Sequence, residues 1–293
     1  MKFPDFEKLR NFVKTELFPL EYKNVREIYT GGSTYNFCIE TINKKYFLKL
    51  ISNQKDIDKT KKICELSNPL DQTKIKDFLN YKTLVMPYIE GQKIRYKDCT
   101  PLLLNKLFSA YRAALSDQKI KEIANPEINI SLLCDELKEL VAASKKNIFR
   151  FLYQKFLKNI EKQLVSFPES QTLIHGDFTA NNVLIAKDGQ PYILDWAKLQ
   201  YGNVAEDAAS LTLELSGFRK LFGNLKRFKK LFLKTNTILN LTTKEWLYGV
   251  QIFYLGLLKR RLNQSQKQSL RKQFCAWLIM LGYFRIYHFL EKN

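Results

Sequence analysis

Between residues 175 and 196 the chain places two carboxylates, Asp177 and Asp195, on either side of an amide, Asn182. Val183 to Ala186 and Pro191 to Leu194 are short apolar runs rich in strand formers. Lys187-Asp188-Gly189-Gln190 between them carries the Asp-Gly signal of a tight turn, so the two runs pair as an antiparallel hairpin. Closing the hairpin brings its open ends together and sets Asn182, at the start of the first strand, beside Asp195, at the end of the second. An amide oxygen beside a carboxylate is a hard, all-oxygen site suited to magnesium carrying the phosphates of a nucleotide. Asp177, just upstream on a loop, is close enough to accept a proton from an incoming hydroxyl. The chemistry this implies is phosphoryl transfer. Either half alone has a plainer reading, His-Gly-Asp as an ordinary turn and Asp195 as the cap of a following element; both halves at this spacing argue for chemistry.

The H-G-D-x-x-x-x-N run from His175 to Asn182, with the I-L-D-W run from Ile193 to Trp196, resembles the signature of the aminoglycoside phosphotransferase and choline kinase superfamily, relatives of the protein kinases. The resemblance implies an α+β, two-lobed fold. A small antiparallel-sheet N-lobe would occupy residues 1–91 and end in a hinge, and a larger, mainly helical C-lobe residues 92–293. It implies Asp177 as catalytic base, Asn182 and Asp195 as magnesium ligands, and Trp196 in place of the phenylalanine of the protein-kinase motif. His175 would orient backbone. The donor would be ATP or GTP with Mg2+, and the acceptor a hydroxyl of a small metabolite, sugar, amino alcohol or aminoglycoside.

Other elements must position these groups. Phe6 to Phe18 has helical apolar spacing. Val25 to Tyr29 and Phe37 to Thr41 read as strands around a loop holding Gly31, Gly32, Ser33 and Thr34, where small residues let backbone amides approach phosphate; a plain Gly-Gly hairpin is the other reading. Lys49 interrupts the apolar strand Tyr46 to Ile51, and an ammonium on the buried side needs an anionic partner. Nucleotide phosphates and a helix carboxylate would supply it, Glu65 first and Asp58 second; an outward-facing lysine, with Tyr46 and Leu48 on the other face, is the alternative. Thr83 to Gly91 resembles the hinge, with backbone near Pro87 and Tyr88 against adenine and Met86 at its edge. Leu102 to Leu115, Ser131 to Ala143, Asn147 to Val165, Lys244 to Leu262 and Ser265 to Glu291 are helical by periodicity. The chain departs from the family pattern at Leu115-Ser116, where a leucine-histidine pair is usual, and in a short segment after the Lys49 strand. Asp207 stands where the family carries an aspartate, and an acid at a helix start is also favourable for dipole reasons.

A chain of 293 residues with 45% hydrophobic content can bury one large core or two. Its five cysteines are scattered and odd in number, which argues against a disulfide framework and for a reducing cytoplasm. The start, Met1 to Asp5, lacks the apolar core of a signal peptide. Phe274 to Leu290 is short for a membrane span and holds Arg285 and His288, so it reads as a buried terminal helix, an interfacial helix being the alternative. The formal charge of +19 recruits anions, with much of the excess between Arg219 and Lys272. A solvated surface, a nucleic acid, an anionic membrane and a phosphorylated substrate all fit. A non-catalytic protein that binds nucleic acid or an anionic membrane through this basic half is therefore the rival to a kinase; retention of Lys49, Asp177, Asn182 and Asp195 speaks against it.

Overall fold

The computed structural model describes residues 5–28, 35–51, 74–116, 124, 130–143, 150–164, 172–218, 223–263 and 270–292. Gly31, Gly32, Ser33, Thr34, Asp58 and Glu65 lie outside the described residues. The chain groups into two compact units. The first comprises Met1–Gly91, Ser116–Ile123 and Asp195–Ala197; the second comprises Gln92–Leu115, Ala124–Leu194 and Lys198–Asn293.

In the first unit, β1 (Tyr22–Glu27), β2 (Tyr35–Thr41), β3 (Lys45–Ile51), β4 (Lys74–Phe78) and β5 (Tyr81–Pro87) form an antiparallel sheet in the order β1-β2-β3-β5-β4. Directly paired residues share a face and successive residues alternate, so the sheet has two distinct sides. One carries Phe37, Ile39, Leu48, Leu50 and Val85, packed against Leu9, Val13 and Leu17 of the N-terminal helical segment. The other carries Phe47, Lys49, Ile51, Leu84 and Met86. Helix α1 (Phe6–Phe12) does not run regularly to Phe18 as the spacing predicts. It widens into a π-turn over Val13–Leu17, closed by Phe18 N–H donating to Val13 O at 2.9 Å. The wider turn brings Val13, Leu17 and Phe18 together onto the sheet, Phe18 lying 4.6 Å from the Tyr46 ring.

The second unit is mainly helical. Its helices are α2 (Pro101–Leu115), α3 (Ile130–Ala143), α4 (Arg150–Leu164), α5 (Val204–Leu215), α6 (Leu225–Leu239), α7 (Thr243–Asn263) and α8 (Leu270–Glu291). Helix α2 buries Leu104, Leu107, Phe108 and Tyr111, the i, i+3, i+4, i+7 stripe that its sequence carries. Helix α5 starts at a full capping box: Asn203 Oδ1 accepts the Ala205 N–H at 2.8 Å and Glu206 Oε1 accepts the Asn203 N–H at 2.9 Å. Helix α7 crosses that start so closely that a Cβ on Gly249 would stand 2.1 Å from Ala205 O. Helix α8 buries Tyr283, Ile286 and Leu290 in the same core. No described helix is long and apolar enough to cross a membrane.

Short strands complete this unit. β6 (Gly91–Lys93), β8 (Val183–Ala186) and β9 (Pro191–Ile193) lie in the order β6-β8-β9, and β7 (Thr172–Ile174) pairs with β10 (Gln200–Gly202). The β8–β9 hairpin turns where the sequence placed its turn, with Gly189 at φ +77°. Its ladder ends with Leu194 N–H donating to Asn182 O at 2.8 Å, one residue before Asp195. β6, β7 and β10 are additions to the elements read from sequence.

The basic region is partly consumed by packing. Arg227 lies over the Tyr96 ring at 5.1 Å, Lys229 over the Phe289 ring at 4.7 Å, and Lys234 Nζ donates to Cys99 O at 2.8 Å. These α6 cations hold neighbouring elements of their own unit.

Candidate active site

The loop from His175 to Asn182 is held from below by helix α5. Asp207, in the first turn of α5 and 2% exposed, accepts three hydrogen bonds. Its Oδ2 receives the His175 N–H at 2.6 Å and the Tyr111 O–H at 2.7 Å, and its Oδ1 receives the Gly176 N–H at 3.1 Å. Burial pushes the Asp207 carboxyl above the ordinary carboxylate range, opposed by the nearby His175 and by the hydrogen bonds from Tyr111, His175 and Gly176. Burial, and then Asp207 itself, push the Tyr111 hydroxyl well above its ordinary value. Two helical turns further on, Glu214 takes the other end of the loop. Its Oε2 receives the Ala180 N–H at 3.0 Å and its Oε1 the Asn181 Nδ2–H at 3.3 Å. A separation of seven residues advances about 10.5 Å along a helix and returns to the same face, so α5 presents two carboxylates that grip the loop at both ends.

The side of the loop facing the core is anchored by Phe178, fully buried with its ring 4.9 Å from Tyr111 and 6.0 Å from Phe108. Burying a phenylalanine stabilises by about 1.5–3 kcal/mol, which pins the residue next to Asp177. Gly176 has φ +75°, and a Cβ there would stand 2.2 Å from Lys198 O, so this position tolerates only glycine. His175 is fully buried and links the loop to the hairpin. Its Nδ1 accepts the Asp177 N–H at 3.2 Å, which leaves Nε2 as the protonated nitrogen, donating to Leu194 O at 2.9 Å. Both ring nitrogens are thus committed to backbone.

Asp177 itself is partly exposed, with Oδ2 3.0 Å from Lys198 Nζ. Asn182 Nδ2–H donates to Asp177 O at 2.9 Å. That bond orients the amide through its nitrogen, and the other amide atom, Oδ1, is an oxygen of the kind a hard cation takes. Lys93 Nζ donates to Asn181 Oδ1 at 2.9 Å.

In the first unit, Lys49 lies on the sheet face opposite the α1 core, with its side chain 15% exposed and its Nζ 3.0 Å from Asp195 Oδ1. The lysine therefore meets the carboxylate of the D-W motif. Asp195 is one of three non-glycine residues at positive φ among those described, at +60°. A left-handed backbone is sparsely populated for side-chain-bearing residues and concentrates at functional turns. Met86 shares the Lys49 face, paired with Phe47 across β3 and β5, and packs by Ile51 and Leu84. Tyr88 extends the ladder by one step, its N–H donating to Lys45 O at 3.0 Å, so this amide is already used.

Lys93, Lys198, Glu214 and Tyr111 were not singled out by sequence. Glu214 had a signal, its i, i+7 relation to Asp207, and Lys198 had another, a lone cation three residues past the D-W motif's aspartate. Lys93 and Tyr111 had none.

The family described as the phosphotransferase enzyme family matches residues 64–224, more than half of the chain. Among the curated proteins none matches. Among solved structures, the chain is similar to a spectinomycin phosphotransferase in complex with ADP and spectinomycin, at 15% identity over 94% of this chain and 97% of that one, TM-score 0.64. It is similar to the choline kinase LicA from Streptococcus pneumoniae, at 16% identity over 94% and 99%, TM-score 0.61. A choline/ethanolamine kinase family protein from Mesorhizobium loti gives 13% identity over 98% and 95%, TM-score 0.67. At such identities the likeness is one of fold: an α+β chain with a five-stranded antiparallel sheet followed by helices. The sequence match and that fold together make this chain a member of the phosphotransferase enzyme family.

Proposed function

We propose that this phosphotransferase is a small-molecule kinase that moves the γ-phosphate of ATP or GTP to an alcohol, with Asp177 as the base. The observation that carries the reading is the loop from His175 to Asn182. It is clamped by Asp207 and Glu214, and its Asp177 carboxylate is oriented through Oδ2 by Lys198, leaving Oδ1 for a hydroxyl. In the transfer, the acceptor oxygen bonds to the γ-phosphorus and the bond from that phosphorus to the bridging oxygen breaks, releasing a nucleoside diphosphate. The acceptor's proton passes to Asp177. Asn182 Oδ1 and Asp195 are assigned to hold magnesium, which supplies charge neutralisation to the phosphate oxygens. Lys49 is assigned to the α- and β-phosphates, Gly31, Gly32, Ser33 and Thr34 to their backbone cradle, and Glu65 to the lysine. Met86 would border the purine. Tyr88 would offer its carbonyl to it, since its N–H is spent on Lys45.

Because Lys49 meets Asp195 directly, nucleotide entry requires this ion pair to open or be shared. The reading is supported by the family match and by neighbours solved with ADP. It is tested by Asp177→Asn: nucleotide affinity stays within about twofold while turnover falls about a hundredfold or more. Near-normal turnover in that variant would sink the assignment.

A further inference from the structure

Two lysines of the second unit stand at the Asp177 loop. Lys198 Nζ stands 3.0 Å from Asp177 Oδ2, and Lys93 Nζ stands 2.9 Å from Asn181 Oδ1. Ammonium groups therefore attend both the base and the residue next to Asn182. Both lysines face solvent: the Lys198 side chain is 55% exposed, and all of β6 is exposed. Two carboxylates of α5 also meet this loop, and both accept hydrogen bonds from it. Glu214 receives Ala180 N–H and Asn181 Nδ2–H, and Asp207 is buried beneath His175 and Gly176. Beyond Lys93, Arg95 is tied to Asp98 and Gln92. Arg227 at the start of α6 stacks on Tyr96, and Lys226 and Lys230 of the same helix are exposed.

We propose that the acceptor is an anionic alcohol, with Lys93 and Lys198 as the ionic partners of its phosphate or carboxylate. The proposal rests on Asp177 being the base and names the substrate class of that same site. The family resemblance by itself points toward amino alcohols and aminoglycosides, which are cations; here a cation would enter beside two ammonium groups. A unit charge about 4 Å from another shifts affinity about fivefold even in bulk water. Two contacts whose sign reverses between substrates thus separate anionic from cationic acceptors by at least about tenfold.

The test is a set of acceptors of one size, supplied with ATP and magnesium: glucose, glucosamine, glucuronate and glucose 6-phosphate. The expected order in kcat/KM puts an anion at least about tenfold above glucose and glucosamine last. The glucuronate and phosphate arms tell which anionic group is preferred. Lys93→Met should lower the anionic-to-neutral ratio about fivefold, and Lys93→Arg should restore most of it. Calorimetric titration of glucuronate and glucose 6-phosphate into the nucleotide-loaded protein reads the same preference without turnover. Glucosamine used as well as the anions, a ratio unmoved by Lys93→Met, or no binding of either anion overturns the proposal. Failure of the underlying assignment has a different mark: Asp177→Asn then turns over every acceptor at the wild-type rate.

Discussion

Replacing Asp207 by asparagine tests whether α5 holds the loop that carries Asp177. The carboxylate accepts from three donors, His175 N–H and Tyr111 O–H at Oδ2 and Gly176 N–H at Oδ1. An amide in the same place keeps one oxygen and turns an N–H2 toward the remaining donor. One buried donor left without an acceptor costs about 1–3 kcal/mol, and turning the surviving charge-assisted bonds into neutral ones costs about 1 kcal/mol each. Relief from burying a charge offsets part of this, so the net loss is about 2–4 kcal/mol. At about 2–4 °C per kcal/mol for a chain of this size, the melting temperature falls by about 5–15 °C. Scanning calorimetry reads that shift, and a cycle with Tyr111→Phe reads the coupling, expected at about 1 kcal/mol because the two side chains share one bond. Turnover should fall further than nucleotide affinity, since the bonds lost are those at His175 and Gly176. A variant melting within about 1 °C of the parent, with additive single substitutions, would refute the reasoning.

Gly176→Ala should abolish most turnover and destabilise by about 1–3 kcal/mol, because φ +75° and the Lys198 carbonyl both exclude a Cβ; kinetics and calorimetry check it, and unchanged activity contradicts the geometry. Gly249→Ala should cost about 1–3 kcal/mol by forcing α7 away from Ala205, with Asp207 two residues further along α5, and urea denaturation measures it. Stability should also respond to pH through Asp207. Its carboxyl titrates above the ordinary value when folded, so between the two values the folded state keeps a proton that the unfolded state has released. The Asp207 contribution to stability is therefore full below that window and declines as pH rises through it. The difference between wild type and Asp207→Asn should shrink from about pH 4 upward, and a difference that grows instead would contradict burial as the dominant cause.

Sequence periodicity read the long elements well because they are long. Helix α2 follows its apolar stripe, and the β8–β9 hairpin turns at Asp188-Gly189, where glycine alone takes the required φ at no cost. The three-residue strands β6, β7 and β10 escaped it, since three residues carry no period to detect. The π-turn after α1 escaped it as well. There the apolar residues suit a regular helix, and only contact with the sheet decides that Leu17 and Phe18 must both face it.

The site divides along the same line. The residue types for phosphoryl transfer, and the hairpin that sets Asn182 one hydrogen-bonded step from the residue before Asp195, are local, because spacing along the chain determines them. The sequence by itself determined the family, the hairpin and the identity of the chemical groups. What tertiary structure decided is which charges face one another. Lys49 meets Asp195 across 146 positions, and Tyr111 meets Asp207 across 96. Lys198 turns to Asp177, and Lys93 turns to Asn181. Such pairings depend on how helices and strands pack, and packing follows burial summed over distant segments, which no local spacing encodes.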